Sequence, residues 1–497
     1  MQPAIDFADL QGNILRGYNK KFVRHLVLTV DRPAAARQWL ADAISGDENL
    51  APQITSAAPW MNGKPRTCVN LGITWTGLAA LGVTQASLDS FPHEFVAGMA
   101  ARNKLIGDTG PSDPAGWNRE WQDQARVHLM ITVHANNKED RAEVAARILG
   151  AQGAFRLLAA LDGEGFHDGV VHFGYRDSIS QPQFCGVPGG TDSRPDDQPK
   201  VEIGAILLGY ATPVEDLRWR VPSPQVLGMN GSFNAFRVLE QRVEQFEEFL
   251  TQCAVALETD PLGEQLVPPG SETKWDPPVS RREALREMVA AKMLGRWRNG
   301  VPLVLSPHTP SPQPSIPDHQ LNNYGYAGDP HGRFLADPDG QMCPIGSHMR
   351  RANPRDAKTV QRNTNHARRL VRRGIPYGPM YHPSHPVSAE RGLLGSFMCA
   401  SLTVQFEALQ YDWMNLGLQD PRITGTNDPL LGNNDPLFSR FMFPVGDGEV
   451  NFRGFSHFVH TRGGAYLFQP SISAISYLAA LTGAGTTYRT SRNSHVD

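Results

Sequence analysis

Three groups of side chains have the types and spacing of a reactive site. The first is His348 in CPIGSHMRRANPR, which follows a Gly-Ser turn and precedes Arg350, Arg351 and Arg355. One neutral imidazole with cations nearby suits a haem, whose iron takes an axial histidine and whose two propionates need basic partners. The same residues also read as a basic surface loop. The second group is Arg372 and Arg373 in LVRRGIPYGP. A planar, permanently charged guanidinium held in a pocket could polarise a bound peroxide and stabilise charge on a departing oxygen. As an alternative, the pair ends a helix at Gly374, where cations complement the dipole. The third is Asp177 in HFGYRDSISQP, beside Arg176. It is either a turn residue or a carboxylate placed to move a proton.

Other chemistries lack their local patterns. The sequence has no HExxH, no Cys/His cluster with zinc spacing, no GxSxG elbow and no phosphate loop. Cys68, Cys185, Cys253, Cys343 and Cys399 are scattered and never form CxxC, which argues for reduced thiols and against a disulfide framework or covalently attached haem. With 40% hydrophobic residues, 20% charged residues and a formal net charge of −3, the composition is that of an ordinary soluble protein. The basic residues form no patch of the kind nucleic acid selects, and no apolar run reaches membrane-helix length. The opening MQPAIDFADLQGN has neither the cationic start nor the apolar stretch of a signal peptide, so a cytoplasmic location is expected.

The elements that must position these groups alternate in type. HLVLTV, CVNLGITW and VHLMITVHA read as strands, and DRPAAARQWLADAIS and KEDRAEVAARILGA read as helices, the pattern of an α+β sandwich. The Gly/Pro/Asp-rich stretch 186–200 predicts a boundary or a long surface loop, after which the pattern restarts. EIGAILLGY is expected as a strand, NGSFNAFRVLEQRVEQFEEFLTQ as strand into helix, and about 262–340 as a Pro-rich insertion with little regular structure. GLLGSFMCASLTVQFEALQYDW and YLFQPSISAISYLAAL each read as strand into helix. A length of 497 residues suits two such domains, 1–185 and 201–497.

Taken together, the wording of these stretches resembles the dye-decolorising peroxidases, haem b enzymes with two ferredoxin-like α+β domains. The match runs through DLQGNILRGY, FGYRDSISQP, GAILLGY, NGSFNAFRVLEQ, CPIGSHMRRANPR, VRRGIPYGP, RGLLG with VQFEALQYDWMN, NDPLLG and TRGGAYLFQPSISAI. The resemblance implies one non-covalent haem b per chain, held in the C-terminal domain. His348, in a His-x-Arg-Arg segment, looks like the axial ligand of the iron, with Arg351 as a cofactor-binding cation. Asp177 falls on the acid of a Gly-x-x-Asp-Gly motif and looks like the distal proton carrier. Arg372, rather than Arg373, is similar to the distal arginine. Asp428 in NDPLLG resembles the carboxylate that takes the imidazole N–H, with Asp435 in the following NNDPL as the other choice.

Two departures stand out. Ser178 replaces the motif's final glycine, and Gly395 and Ser396 stand where the family tends to carry a bulky aromatic, so the pocket is expected to be roomier unless Phe397 fills it. The activity implied is reduction of hydrogen peroxide with oxidation of dyes, phenols or other aromatic donors through an oxyferryl intermediate. Electrons for donors too bulky to reach the haem are expected to pass through surface residues among the 9 Trp and 11 Tyr. A haem-handling protein with little turnover is the competing expectation. Because an aspartate ordinarily ionises well below neutrality, it remains a competent base in acid. The pH profile of peroxide-driven donor oxidation should therefore peak on the acid side, and an optimum above neutrality would contradict Asp177 as the base.

Overall fold

Strands of alternating and continuous apolar pattern build the frame. In the computed structural model, which describes residues 4–61, 63–151, 153–188, 198–357, 366–384 and 389–482, the first half runs β1 (Phe22–Val30), α1 (Pro33–Asp42), β2 (Thr67–Ile73), β3 (Leu129–Ala135), α2 (Lys138–Leu149) and β4 (Phe155–Glu164). The second half runs β5 (Ser232–Gln241), α3 (Val243–Glu258), α4 (Arg281–Leu294), α5 (His348–Ala352), β6 (Val371–Tyr377), β7 (Gly392–Cys399), the hairpin β8 (Arg440–Val445) and β9 (Gly448–Arg453), β10 (Val459–Gln469) and α6 (Ile472–Ala479).

The antiparallel order is β4-β1-β3-β2 in the first half and β10-β5-β7-β6 in the second. Each is the same ferredoxin-like permutation, with the last strand beside the first and the third between the first and second. The halves join edge to edge through Phe468 and Ile73, making one eight-stranded sheet. Cross-strand partners show which residues share the inner face. Arg373 stands opposite Ser396, and Ser396 opposite Phe236. The main core, from Leu26 and Ile131 through Phe233 to Leu467, spans both halves, which ties them into one packed body.

Four expectations are corrected. EIGAILLGY forms a buried irregular turn instead of a strand: Gly209 has φ +96°, and Gly204 packs so closely on Ala211 that a Cβ there would overlap the Ala211 carbonyl. Ile206, Leu207 and Leu208 are still fully buried, so the apolar run reports burial without an extended backbone. The Pro-rich region contains the fourteen-residue helix α4, whose prolines lie outside it; Ser280 caps it by accepting from the Glu283 N–H, and Gly295 ends it at φ +102°. The segment after Ser401, expected as an α-helix, is wound as π-helix over Leu402–Glu407 and Leu409–Trp413. LVRRGIPYGP is an edge strand instead of a helix end. Of the expected boundary 186–200, residues 189–197 lie outside the described residues. Among the described residues no helix is long and apolar enough to cross a membrane.

Where β4 approaches β6 the fit depends on a missing side chain, because a Cβ on Gly163 would overlap the Ile375 side chain. Gly163→Ala should lower stability by about 1–3 kcal/mol through overpacking. Adding Ile375→Ala should recover part of that loss in a thermal or denaturant melt, since the two sites couple; strict additivity would contradict the contact.

Candidate active site

The three reactive groups of the sequence line one cavity of about 350 Å³, which Asp177, Arg372 and His348 share. That volume is typical of small-molecule sites. Its apolar walls include Leu239, Leu294, Leu393, Leu430, Phe397 and Phe406.

His348 opens α5 immediately after the Gly346-Ser347 turn. Its Nδ1 lies 3.1 Å from Asp428 Oδ2. Asp428 is completely buried, and its other oxygen accepts the Leu430 and Leu431 N–H groups at 2.9 and 2.7 Å. Burial alone would push this carboxyl up, but the charge and hydrogen bond of His348, the Arg351 guanidinium and the Leu431 N–H outweigh it. Asp428 is therefore held below the usual carboxylate range. An ionised Asp428 accepts a hydrogen bond from the Nδ1–H, which leaves the lone pair on Nε2, a nitrogen with no hydrogen-bond partner among the described residues. Asp435, the other choice, is exposed and accepts the Leu437 N–H in its own turn.

Arg351 does not reach the cavity, and its assignment to a cofactor is corrected. Its buried guanidinium donates to Gly346 O, Trp413 O, Thr426 O and Thr426 Oγ1, tying α5 to the segments around it. Burial pulls its pKa down to about 10, against the support of Asp428. The cations that do line the cavity include Arg296 and Arg368, which motif reading missed. Arg296 Nη2 and Arg368 Nη1 are buried N–H groups with no acceptor among the described residues. Unmet buried donors in a cavity wall fit an anionic ligand group.

Asp177 sits in a loop whose neighbours are committed elsewhere. Arg176 forms a two-pronged pair with Asp318 at 2.9 and 2.5 Å, so it does not neutralise Asp177. The Asp177 N–H donates to Gly169 O at 2.9 Å. Asp177 Oδ2 lies 3.9 Å from where a Cβ on Gly374 would stand, which places the carboxylate over β6. Arg372 alternates with Arg373 along β6 and shares the face of Gly374. Arg373 Nε instead reaches Asn13 O on the other side. Arg372 Nη2 donates to Ser180 O at 2.9 Å.

A family model described as the DyP dimeric alpha+beta barrel domain matches residues 9–157. A dye-decolorizing peroxidase of Mycena epipterygia is 29% identical, covering 97% of this chain and 88% of its own. A multifunctional dye peroxidase of an Amycolatopsis species is 26% identical over 95% of each. The crystal structure of a decolorizing peroxidase from Auricularia auricula-judae superposes with a TM-score of 0.76 at 25% identity, covering 96% of this chain and all of that one. A dye-decolorizing peroxidase in complex with 2,6-dimethoxyphenol superposes equally well, at the same identity and coverage. The family model, these relatives and these solved structures, the last two over nearly the whole chain, together support the dye-decolorising peroxidase family. It is accordingly a haem peroxidase, an oxidoreductase.

Both departures from the family pattern have local answers in this peroxidase. Ser178 takes φ +61°, the left-handed conformation a glycine would adopt freely, so the turn after Asp177 keeps its shape at a cost of about 1–2 kcal/mol. Phe397 leans over Gly395, where a Cβ would come within 2.9 Å of Phe397 Cε2, so that ring occupies the space the small residue leaves.

The Asp428 carboxyl ionises more readily in the folded chain than in the unfolded one. Its stabilising contribution is thus complete above the unfolded value, about pH 4, and lost as pH falls through the depressed folded value. Melting temperatures of wild type and Asp428→Asn should differ most at neutral pH and converge below about pH 4; a gap that widens in acid would contradict the pairing.

Proposed function

We propose that this chain binds one haem b in the cavity, on the second-half side of the sheet, and uses it to reduce hydrogen peroxide at the expense of phenolic, dye-like or other aromatic donors. The observation that carries the reading is one cavity holding a carboxylate-anchored imidazole, with Nε2 unpaired, together with a carboxylate and an arginine from elsewhere in the chain. The donor set fits haem: a neutral imidazole for the iron, apolar walls for the macrocycle, and the unmet N–H groups of Arg296 and Arg368 for its carboxylates. Haem supplies a redox-active iron that takes the oxidising equivalents of peroxide and releases them to donors one electron at a time.

His348 would hold the cofactor through Nε2, and Asp428, by keeping the proton of Nδ1 engaged, would make Nε2 a stronger donor and fix the ring plane. Asp177 would accept a proton from one oxygen of peroxide and return it to the other, which leaves as water. Arg372, anchored through one nitrogen to Ser180 O, would turn its remaining N–H groups to the negative charge that builds as the O–O bond breaks. A protein that only carried haem would need His348 and the two cavity-wall arginines but not this second pair. The phenol complex recorded for the structural relative supports an aromatic donor. A cytoplasmic location is proposed with the function; the five cysteines, all free, suit a reducing compartment.

Asp177→Asn and Arg372→Leu should each lower kcat/KM for peroxide by about 10²-fold or more, with haem binding, read from the Soret band, unchanged. Wild-type peroxide kinetics in both variants would contradict the assignment.

A further inference from the structure

The loop that carries Asp177 is fastened to the edge of β6 at two points. At one end His172 Nε2 donates to Tyr377 O at 2.7 Å. At the other, the Gln181 carboxamide closes on both peptide groups of Arg372: Nε2 donates to Arg372 O at 2.8 Å, and Oε1 accepts the Arg372 N–H at 3.2 Å. Arg372 then reaches back with Nη2 to Ser180 O. Because β6 is the last strand of the sheet, the Arg372 N–H and C=O point away from β7, and a side-chain amide satisfies both as another strand would.

Between these fastenings the loop is held as far as Arg176 by the buried rings of Phe173 and Tyr175, by the Tyr175 hydroxyl donating to Ala290 O at 2.8 Å, and by the Arg176–Asp318 pair; beyond Arg176 the side-chain anchors are fewer. The Arg176 N–H donates to Arg298 O, the Asp177 N–H to Gly169 O, and Ser178 makes its left-handed turn. Asp177 and Arg372 are distant in sequence, so their separation is set by whatever joins their backbones. Among the described residues of this loop, Gln181 is the one whose side chain grips the Arg372 backbone itself. Carboxamide chemistry is needed for this: a carboxylate keeps the acceptor for the Arg372 N–H but turns the donor facing Arg372 O into a second acceptor, and a hydrocarbon keeps neither.

We propose that Gln181 is a positioning residue for peroxide reduction, holding the Asp177 carboxylate and the Arg372 guanidinium in fixed relation through its two hydrogen bonds to the Arg372 backbone without touching peroxide itself. The proposal rests on the reading of Asp177 and Arg372 as the pair that handles peroxide. The alternative is that Gln181 only covers an exposed strand edge, in which case its loss costs stability and leaves chemistry alone.

The test compares Gln181→Leu and Gln181→Glu with Asp177→Asn and Arg372→Leu. In the cofactor-free protein, hydrogen exchange of the peptides covering 177–182 and 371–377 reads the clamp directly. In the haem-loaded protein, stopped-flow reaction with peroxide and the KM for 2,6-dimethoxyphenol read its consequence. Gln181→Leu should speed exchange in both peptides and slow the peroxide reaction about 10- to 100-fold, as displacements near 1 Å do, with the donor KM within twofold of wild type. Gln181→Glu, keeping one of the two bonds, should fall between, and it carries the test if the leucine variant does not fold. Faster exchange with peroxide kinetics within twofold of wild type would overturn the proposal in favour of an edge cover, as would unchanged exchange. Wild-type peroxide kinetics in Asp177→Asn and Arg372→Leu would instead overturn the parent reading.

Discussion

The hydrogen bond between His348 and Asp428 is the constraint on which the arrangement of the site depends. A fully buried carboxylate is costly unless its oxygens are satisfied. Asp428 meets that requirement with an imidazole on one oxygen and two backbone N–H groups on the other. The same three bonds fix the ring of His348, its tautomer and the 428–431 turn whose leucines line the cavity. Arg351 secures the surroundings by binding carbonyls on three separate segments, Gly346, Trp413 and Thr426. The unpaired nitrogen facing the cavity is thus a product of long-range packing, although His348 itself is plain in the sequence.

The acid and arginine are organised in a different way. The Asp177 carboxylate has no hydrogen-bond partner among the described residues. It is placed by its backbone, in a loop laid along an edge strand and pinned by His172 and Gln181. Anchoring one group by its side chain and the other by its main chain suits their roles. In the roles proposed for them, a residue holding the cofactor would have to stay put under load, whereas a proton carrier would have to leave both carboxylate oxygens open to the cavity. The left-handed Ser178 belongs to the same device, because a turn immediately after Asp177 directs the chain back to β6.

Much of this was legible in the sequence because it is local. β1, β2, β3, β5 and β7 announce themselves through apolar runs, and α1, α2 and α3 through helical periodicity. His348, Asp177, Arg372 and Asp428 could be nominated from short motifs. What was missed depends on partners far away in the chain. EIGAILLGY is apolar because it is buried, yet its glycines bend it out of any strand. VRRGIP looks like a helix end until β7 is seen to pair with it. Arg351, next to a reactive histidine, looks like a ligand for an anion but spends its donors on loop carbonyls. Arg296 and Arg368 belong to no recognised motif and enter the cavity wall only through the fold.

His348 is the residue proposed to anchor haem, and a titration of purified protein with haem tests this most directly. Wild type should take up one equivalent and develop the Soret spectrum of a histidine-ligated haem. His348→Ala should lose that spectrum and regain it with added imidazole, and Asp428→Ala should bind about 10–100-fold more weakly. A His348→Ala protein that binds haem with wild-type affinity and spectrum would contradict the account.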